Sequence, residues 1–340
     1  MPTSAKPATV KSTPISPASL ASKPTVVFLD IATIPSHIKI PNLTFEHQWK
    51  AFDFTSPEQV VERIAGADIV ITNKVKLTAD VLAQAPNVKL IAVSATGTNN
   101  VDLDYCRENS IVVTNVQGYG TRSVPEHVIA MMFALKRNLV GYHQDIAAGV
   151  WQKDKQFCFF THPITDVAGS TLGIIGSGSL GQAVGVLAKA LGMKVVFAER
   201  KGVSPCRLGY MAFEKVIETA DVLTLHCPLT AETENLIAMP ELQAMKSSAI
   251  LINAGRGGLV NEAELVEALK IQQIAGAGCD VFTQEPADES NPLIANMGLP
   301  NLLLTPHVAW GSDSSIQALC NILMDNIEKF QQGVEQNRVV

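Results

Sequence analysis

The segment Leu172-Gly173-Ile174-Ile175-Gly176-Ser177-Gly178-Ser179-Leu180-Gly181 decides the fold. Its first four residues read as a buried strand, and the small and apolar run Ala183–Leu191 reads as a helix. Between them stand three glycines in G-x-G-x-x-G spacing. Gly176 permits a tight turn, Gly178 lets a pyrophosphate approach the backbone, and Gly181 allows the helix to pack closely on the strand. The helix N-terminus offers free N–H groups to the phosphates through Ser177, Ser179 and Leu180. Such spacing also occurs in plain packing turns. The acidic residue expected about 20 positions further on separates the two readings. Glu199 is there, closing the run Lys194-Val-Val-Phe-Ala-Glu199. The segment therefore predicts dinucleotide binding. A carboxylate at Glu199 would accept hydrogen bonds from the adenosine ribose and repel a 2′-phosphate, which favours NAD. Arg200 and Lys201 follow at once and would attract that phosphate, so NADP stays open as the alternative.

The fingerprint lies mid-chain, so another unit precedes it. Residues 25–30, 68–72, 89–93 and 111–115 read as strands, with helices over 57–65 and 79–85 between them. Strands alternating with helices predict a parallel, doubly wound sheet. A long helix over 124–137, with Pro125 in its first turn, leads into the second domain. There the alternation repeats: strands at 172–176, 194–199, 222–225, 249–253, 274–280 and 302–305, and helices at 180–191, 213–220 and 261–270. The last helix, about 312–332, carries Ile316, Leu319, Leu323, Ile327 and Phe330 near one stripe. Burying that stripe on the first domain makes the first domain discontinuous. The expected division is 25–121 with 308–340 as the substrate domain and 122–307 as the NAD-binding domain, with a cleft between them. Residues 1–24 are rich in Ser, Pro, Ala, Thr and Lys and lack the apolar core of a signal peptide. They read as a disordered tail, with a transit peptide as the weaker alternative.

The bulk numbers exclude other classes. Hydrophobic content of 47% with 17% charged residues describes a folded globular chain. A net charge of −6 argues against nucleic acid as a partner. No apolar run reaches the ~18 residues that a membrane span needs. The six cysteines are scattered, with no CxxC pair and no Cys/His cluster, so free thiols in a reducing cytoplasm are expected and a metal site is not.

Three segments carry candidate chemistry. Asn253-Ala254-Gly255-Arg256-Gly257, Asp280-Val-Phe-Thr-Gln-Glu285-Pro286 and Thr305-Pro306-His307-Val308-Ala309-Trp310 each follow an expected strand. In an open parallel sheet the carboxyl ends of strands face the ligand crevice. One arginine, one glutamate and one histidine thus converge where a nicotinamide would lie. Taken singly, each of these types is more often a surface cation, a cap or a core residue. The other histidines (His37, His47, His127, His143, His162, His226) carry no comparable context and read as structural.

Together these segments resemble the D-isomer-specific 2-hydroxyacid dehydrogenase family, over about residues 25–335. His226-Cys227-Pro228-Leu229-Thr230 also resembles that family's segment beside the nicotinamide ribose. The resemblance implies that Arg256 holds the substrate carboxylate and polarises its 2-oxo oxygen. It implies that His307 donates the proton, and that Glu285 hydrogen-bonds the imidazole and favours its charged form. It further implies that Asp280 touches the nicotinamide carboxamide, and that Cys227, Pro228, Ala254, Gly255 and Trp310 line the cofactor. Ala95-Thr96-Gly97-Thr98-Asn99-Asn100 resembles the family's substrate loop, with Thr96 and Gly97 offering backbone N–H groups. The segments Phe28-Leu29-Asp30, Ala67–Val75, Ala95–Asp102, Gln156-Phe157-Cys158 and Pro306–Trp310 point to the glycerate dehydrogenase, or hydroxypyruvate reductase, branch. The implied partner is a small 2-oxo or 2-hydroxy acid, and the implied assembly is a homodimer, with apolar stretches near 124–160 as the contact. D-lactate and phosphoglycerate dehydrogenases are alternatives, as is an NAD-sensing corepressor. The loop 95–102 has no cation to bind a phosphate, and Glu285 stands where formate dehydrogenases have glutamine.

Overall fold

A computed structural model describes residues 23–340. The tail expected at 1–24 therefore lies, apart from Lys23 and Pro24, outside the described residues. The chain divides into two units, one of residues up to Tyr119 with Ile316–Val340, the other of Gly120–Ser315.

The first unit holds β1 (Thr25–Phe28), β2 (Gln48–Ala51), α1 (Val60–Ile64), β3 (Ile69–Thr72), α2 (Ala79–Leu82), β4 (Leu90–Val93), α3 (Leu103–Glu108) and β5 (Val112–Thr114). Its five parallel strands run in the order β2-β1-β3-β4-β5, the flavodoxin-like arrangement. Both faces are apolar, as a parallel sheet requires. Val27, Leu29, Val70, Ile91, Val93 and Val113 pack with Val60, Ile64, Leu82 and Cys106 in one core. The alternate residues Val26, Phe28, Ile69, Ile71, Leu90 and Ala92 are equally buried on the other face. Edge strand β2 was not foreseen, because Gln48-Trp49-Lys50-Ala51 is exposed throughout and shows no buried pattern. The opposite edge is partly covered: Val113 donates to the Val340 carbonyl and accepts from the Val339 N–H, and Thr114 forms an antiparallel bridge with Arg338.

The second unit holds α4 (Ser123–Lys136), α5 (Leu139–Ala147), α6 (Val150–Asp154), β6 (Thr171–Ile175), α7 (Ser179–Ala190), β7 (Lys194–Ala198), β8 (Tyr210–Met211), α8 (Phe213–Thr219), β9 (Val222–Leu225), α9 (Met239–Ala244), β10 (Ile250–Asn253), α10 (Glu262–Lys270), β11 (Gly276–Cys279), α11 (Pro292–Ala295) and β12 (Leu302–Leu304). Seven parallel strands run β12-β11-β10-β9-β6-β7-β8. Counted from β6, this is the Rossmann order with a further strand at the β12 edge. Period-2 alternation divides its residues between two cores. Leu172, Ile174, Ile250 and Ile252 pack with Val128, Met131, Met132, Val184 and Ala188. Ile175, Leu223, Leu225 and Leu251 pack with Phe213, Val216, Leu242 and Leu265.

The fold class is the expected one: a Rossmann-type unit inserted into a flavodoxin-like unit. Val308–Ser315 go with the second unit, whereas the sequence reading had placed them with the first. The reason is local, since Ala309 is buried in the second unit's core and its N–H is bonded to Asp280. The last helix, α12 (Asp313–Gln331), then runs into the first unit. It buries Ile316, Leu319, Leu323 and Ile327, while Phe330 is half-buried. Asn326 ties it to that unit by donating to the Asn115 carbonyl.

Leu319→Ala, at a wholly buried position on α12, should cost about 2–5 kcal/mol, read from the urea midpoint. Val186→Ala, on the exposed face of α7, should stay within about 0.5 kcal/mol.

Candidate active site

Strand order in the second unit reverses between β6 and β9, and Gly176 leaves β6 at that point. Its φ of +99° is open to glycine, and a Cβ there would stand 2.4 Å from the His226 backbone carbon. A Cβ on Gly181 would stand 2.1 Å from the Gly176 carbonyl oxygen, so α7 sits against the turn with no room for a side chain. At Gly178, by contrast, a Cβ would meet nothing within 4 Å. That open cradle before α7 suits a diphosphate on the helix N-terminus.

Glu199, at the end of β7, is buried. Its carboxylate accepts from the Arg200 and Arg207 backbone N–H groups at 2.8 and 3.0 Å. Arg207 adds a two-pronged pair, Nε at 2.7 Å and Nη2 at 2.8 Å. The Arg207 guanidinium first, and the two backbone N–H groups next, hold this carboxyl down at about 2. The ribose hydroxyls expected to bind Glu199 therefore face a carboxylate already engaged. Beyond β9, His226 is kept neutral by burial, at about 4. Burial pushes the Cys227 thiol up to about 11, so it carries no thiolate at neutral pH.

The catalytic candidates stand at the ends of β10, β11 and β12. Asn253 braces the first turn, donating to the Arg256 carbonyl at 2.9 Å and accepting from Gly255 N–H at 3.2 Å. Arg256 is exposed, with Nη1 donating to the Gly255 carbonyl and no carboxylate paired with it among the described residues. After β11, the Asp280 side chain is almost wholly buried. It accepts from the Thr305 hydroxyl at 2.5 Å and from the Val308 and Ala309 N–H groups at 2.9 Å each. Its carbonyl accepts from His307 N–H at 2.7 Å. This carboxylate holds the 305–309 turn. In that turn His307 has a φ of +53°, a conformation rare outside glycine. Its Nδ1 lies 2.6 Å from Glu285 Oε2, and the other Glu285 oxygen accepts from Phe282 N–H. The Trp310 indole N–H donates to the His307 carbonyl.

Sequence reading did not single out His127 as part of this network. Its Nε2 lies 3.0 Å from the Thr305 hydroxyl oxygen. Thr305 spends its proton on Asp280, so His127 Nε2 is the donor to Thr305. Arg207 and Tyr210 were also missed, for neither belongs to a spaced motif. In the first unit, the loop expected to bind substrate follows β4. It is pinned by the Thr96 hydroxyl to the Val116 carbonyl and by the Asn115 side-chain amide to the Thr96 carbonyl, both at 2.7 Å.

A glycine turn at a Rossmann switch point, with a histidine–glutamate pair and an arginine on neighbouring strand ends, defines a nicotinamide-dependent oxidoreductase. The family model for the NAD binding domain of D-isomer specific 2-hydroxyacid dehydrogenases matches residues 129–309, and the chain belongs to that family. It is 47% identical over 315 residues to the glycerate dehydrogenase of Methylorubrum extorquens, covering 92% of this chain and 98% of that one. It is 36% identical over 288 residues to the hydroxypyruvate reductase of Blautia hydrogenotrophica, covering 84% and 88%. Among solved structures, the TT0316 protein of Thermus thermophilus is similar with a TM-score of 0.80 and 31% identity, covering 93% of this chain and all of that one.

Because Glu199 is held well below its usual range of about 4.3, its pairing adds stability above that range and loses it as pH falls toward about 2. Glu199→Gln should lower the melting temperature by a constant amount between pH 5 and 8. The gap to wild type should close as pH drops below about 4.5, followed by circular dichroism melts.

Proposed function

We propose that this chain reduces hydroxypyruvate to D-glycerate with NADH, reversibly, and accepts glyoxylate as a second substrate. The observation that supports it best is the His307–Glu285 pair at 2.6 Å, one strand end from the exposed Arg256. Similarity to a glycerate dehydrogenase adds weight to the choice of substrate. Bound nicotinamide supplies the hydride to C2 of the 2-oxo acid. Arg256 holds the carboxylate and the 2-oxo oxygen, for which its planar fork of donors is suited. A substrate with a single carboxylate needs only one such cation. His307 uses Nδ1 on Glu285, which leaves Nε2 to deliver a proton to the oxygen as hydride arrives. Glu285 fixes the orientation of the ring through Nδ1. In the oxidative direction the neutral imidazole takes the proton back.

We also propose a homodimer built on residues 139–160. Helix α5 buries none of its residues, and Leu139, Val140, Ile146, Trp151, Phe157 and Phe160 are exposed. A cluster of apolar side chains on this scale marks an interface more often than a free surface. A cytoplasmic location belongs to the same proposal, supported by six unpaired cysteines.

Purified protein should oxidise NADH when hydroxypyruvate is added, and absence of turnover with every small 2-oxo acid tried would refute the enzyme reading. His307→Ala should lose roughly 10²–10⁴-fold in kcat, whereas near-normal reduction by that variant removes His307 from the mechanism. Light scattering should give twice the chain mass. Phe157→Asp with Phe160→Asp should move it to the monomer value.

A further inference from the structure

Glu199 and Arg207 form an unequal pair. The glutamate side chain is 2% exposed and the arginine side chain 53%. A carboxylate has about four good acceptor directions. Arg207 Nε and Nη2 with two backbone N–H groups use that number. A ribose hydroxyl reaches a lone pair on Glu199 only if Arg207 withdraws.

Arg207 is held from a second side. Its guanidinium carbon stands 3.9 Å from the centroid of the Tyr210 ring. The Tyr210 hydroxyl donates to Ser177 Oγ at 2.6 Å, inside the glycine turn. The guanidinium is thereby fixed relative to the diphosphate cradle, on the side where an adenosine ribose lies in this fold. Two of its five N–H donors are spent on Glu199, and three remain. The local charge leans the same way. Lys201 is paired with Glu241 at 2.7 Å and Arg207 with Glu199, while the Arg200 guanidinium has no carboxylate partner among the described residues.

We propose that Arg207 is a specificity-determining residue. By occupying Glu199 it cancels that carboxylate's rejection of a 2′-phosphorylated adenosine, and it offers its remaining donors to the phosphate. The chain accordingly binds NADPH as well as NADH. This rests on the assignment of a dinucleotide-binding domain and is independent of which 2-oxo acid is reduced.

Isothermal titration of the intact protein with ADP-ribose and with 2′-phospho-ADP-ribose tests it without turnover, since neither ligand carries a nicotinamide. Wild type should bind the two within about tenfold of each other. Arg207→Leu should lose at least about tenfold in affinity for the phosphorylated ligand and bind ADP-ribose as well as before or better, because Glu199 is released. Arg207→Lys, a point charge in place of a fork, should fall between, and it carries the test if the leucine variant melts early. Raising salt should weaken the phosphorylated ligand more steeply than ADP-ribose in wild type. Wild-type discrimination against the 2′-phosphate by more than about a hundredfold would overturn the proposal. Equal losses for both ligands in the Arg207 variants would do the same, by reducing the pair to a structural brace. Failure of wild type to bind either ligand would overturn the cofactor assignment beneath it, while leaving the chemistry of His307 to the turnover assay.

Discussion

A buried carboxylate must find donors, and Asp280 finds three of them in one turn. That constraint governs the rest of the site. Leaving such a group unpaired in a protein interior is costly enough to dictate local backbone geometry. The Val308 and Ala309 N–H groups point back at Asp280, so the chain must double over at His307. The left-handed φ of His307 is the outcome. A strained residue of this kind persists because its surroundings over-determine it. Here they are the Asp280 carboxylate, the Asp280 carbonyl and, from α4, His127 behind Thr305. The imidazole then has one nitrogen on Glu285 and, among the described residues, no protein partner on the other.

Parallel sheets explain why such distant segments meet. Every strand in the second unit points the same way, so the loops after β6, β7, β9, β10, β11 and β12 open at one edge. The glycine turn, Glu199, Arg256, Glu285 and His307 come from separate connections, each anchored by its strand. Polar groups anchored to rigid strand ends are placed more precisely than groups on loops alone. Close packing at Gly176 and Gly181 draws α7 down onto the same edge.

Much of this was legible in the sequence for a physical reason. Buried parallel strands are continuous apolar runs, so β3, β4, β9 and β10 stood out, and strand ends marked the candidate site. What was missed follows equally physical lines. Edge strand β2 buries nothing, so its residues obey no pattern. Helix α3 is short and announced only by its cap, Asp102, which accepts from Tyr105 N–H. Arg207 lies in an irregular loop eight residues past Glu199, and no periodicity links the two. Glu199 directly follows β7, where the fingerprint spacing puts the acidic residue, but its pairing with Arg207 is a tertiary fact. Asp280 shows the same limit, since spacing located the carboxylate but only burial and its donors revealed what it holds.

The split of the first unit between the two ends of the described chain has a bearing on synthesis. Strands β1 to β5 leave the ribosome first, yet the helix that belongs to their unit and the residues that bridge to β5 lie in Ile316–Val340. The inserted unit must be made in between. At about 5–20 residues per second the early sheet waits roughly 10–40 s with the Val113 edge open. The Rossmann unit has all of its strands by then. The later unit in the sequence is thus the first that can close, and the earlier one is finished last.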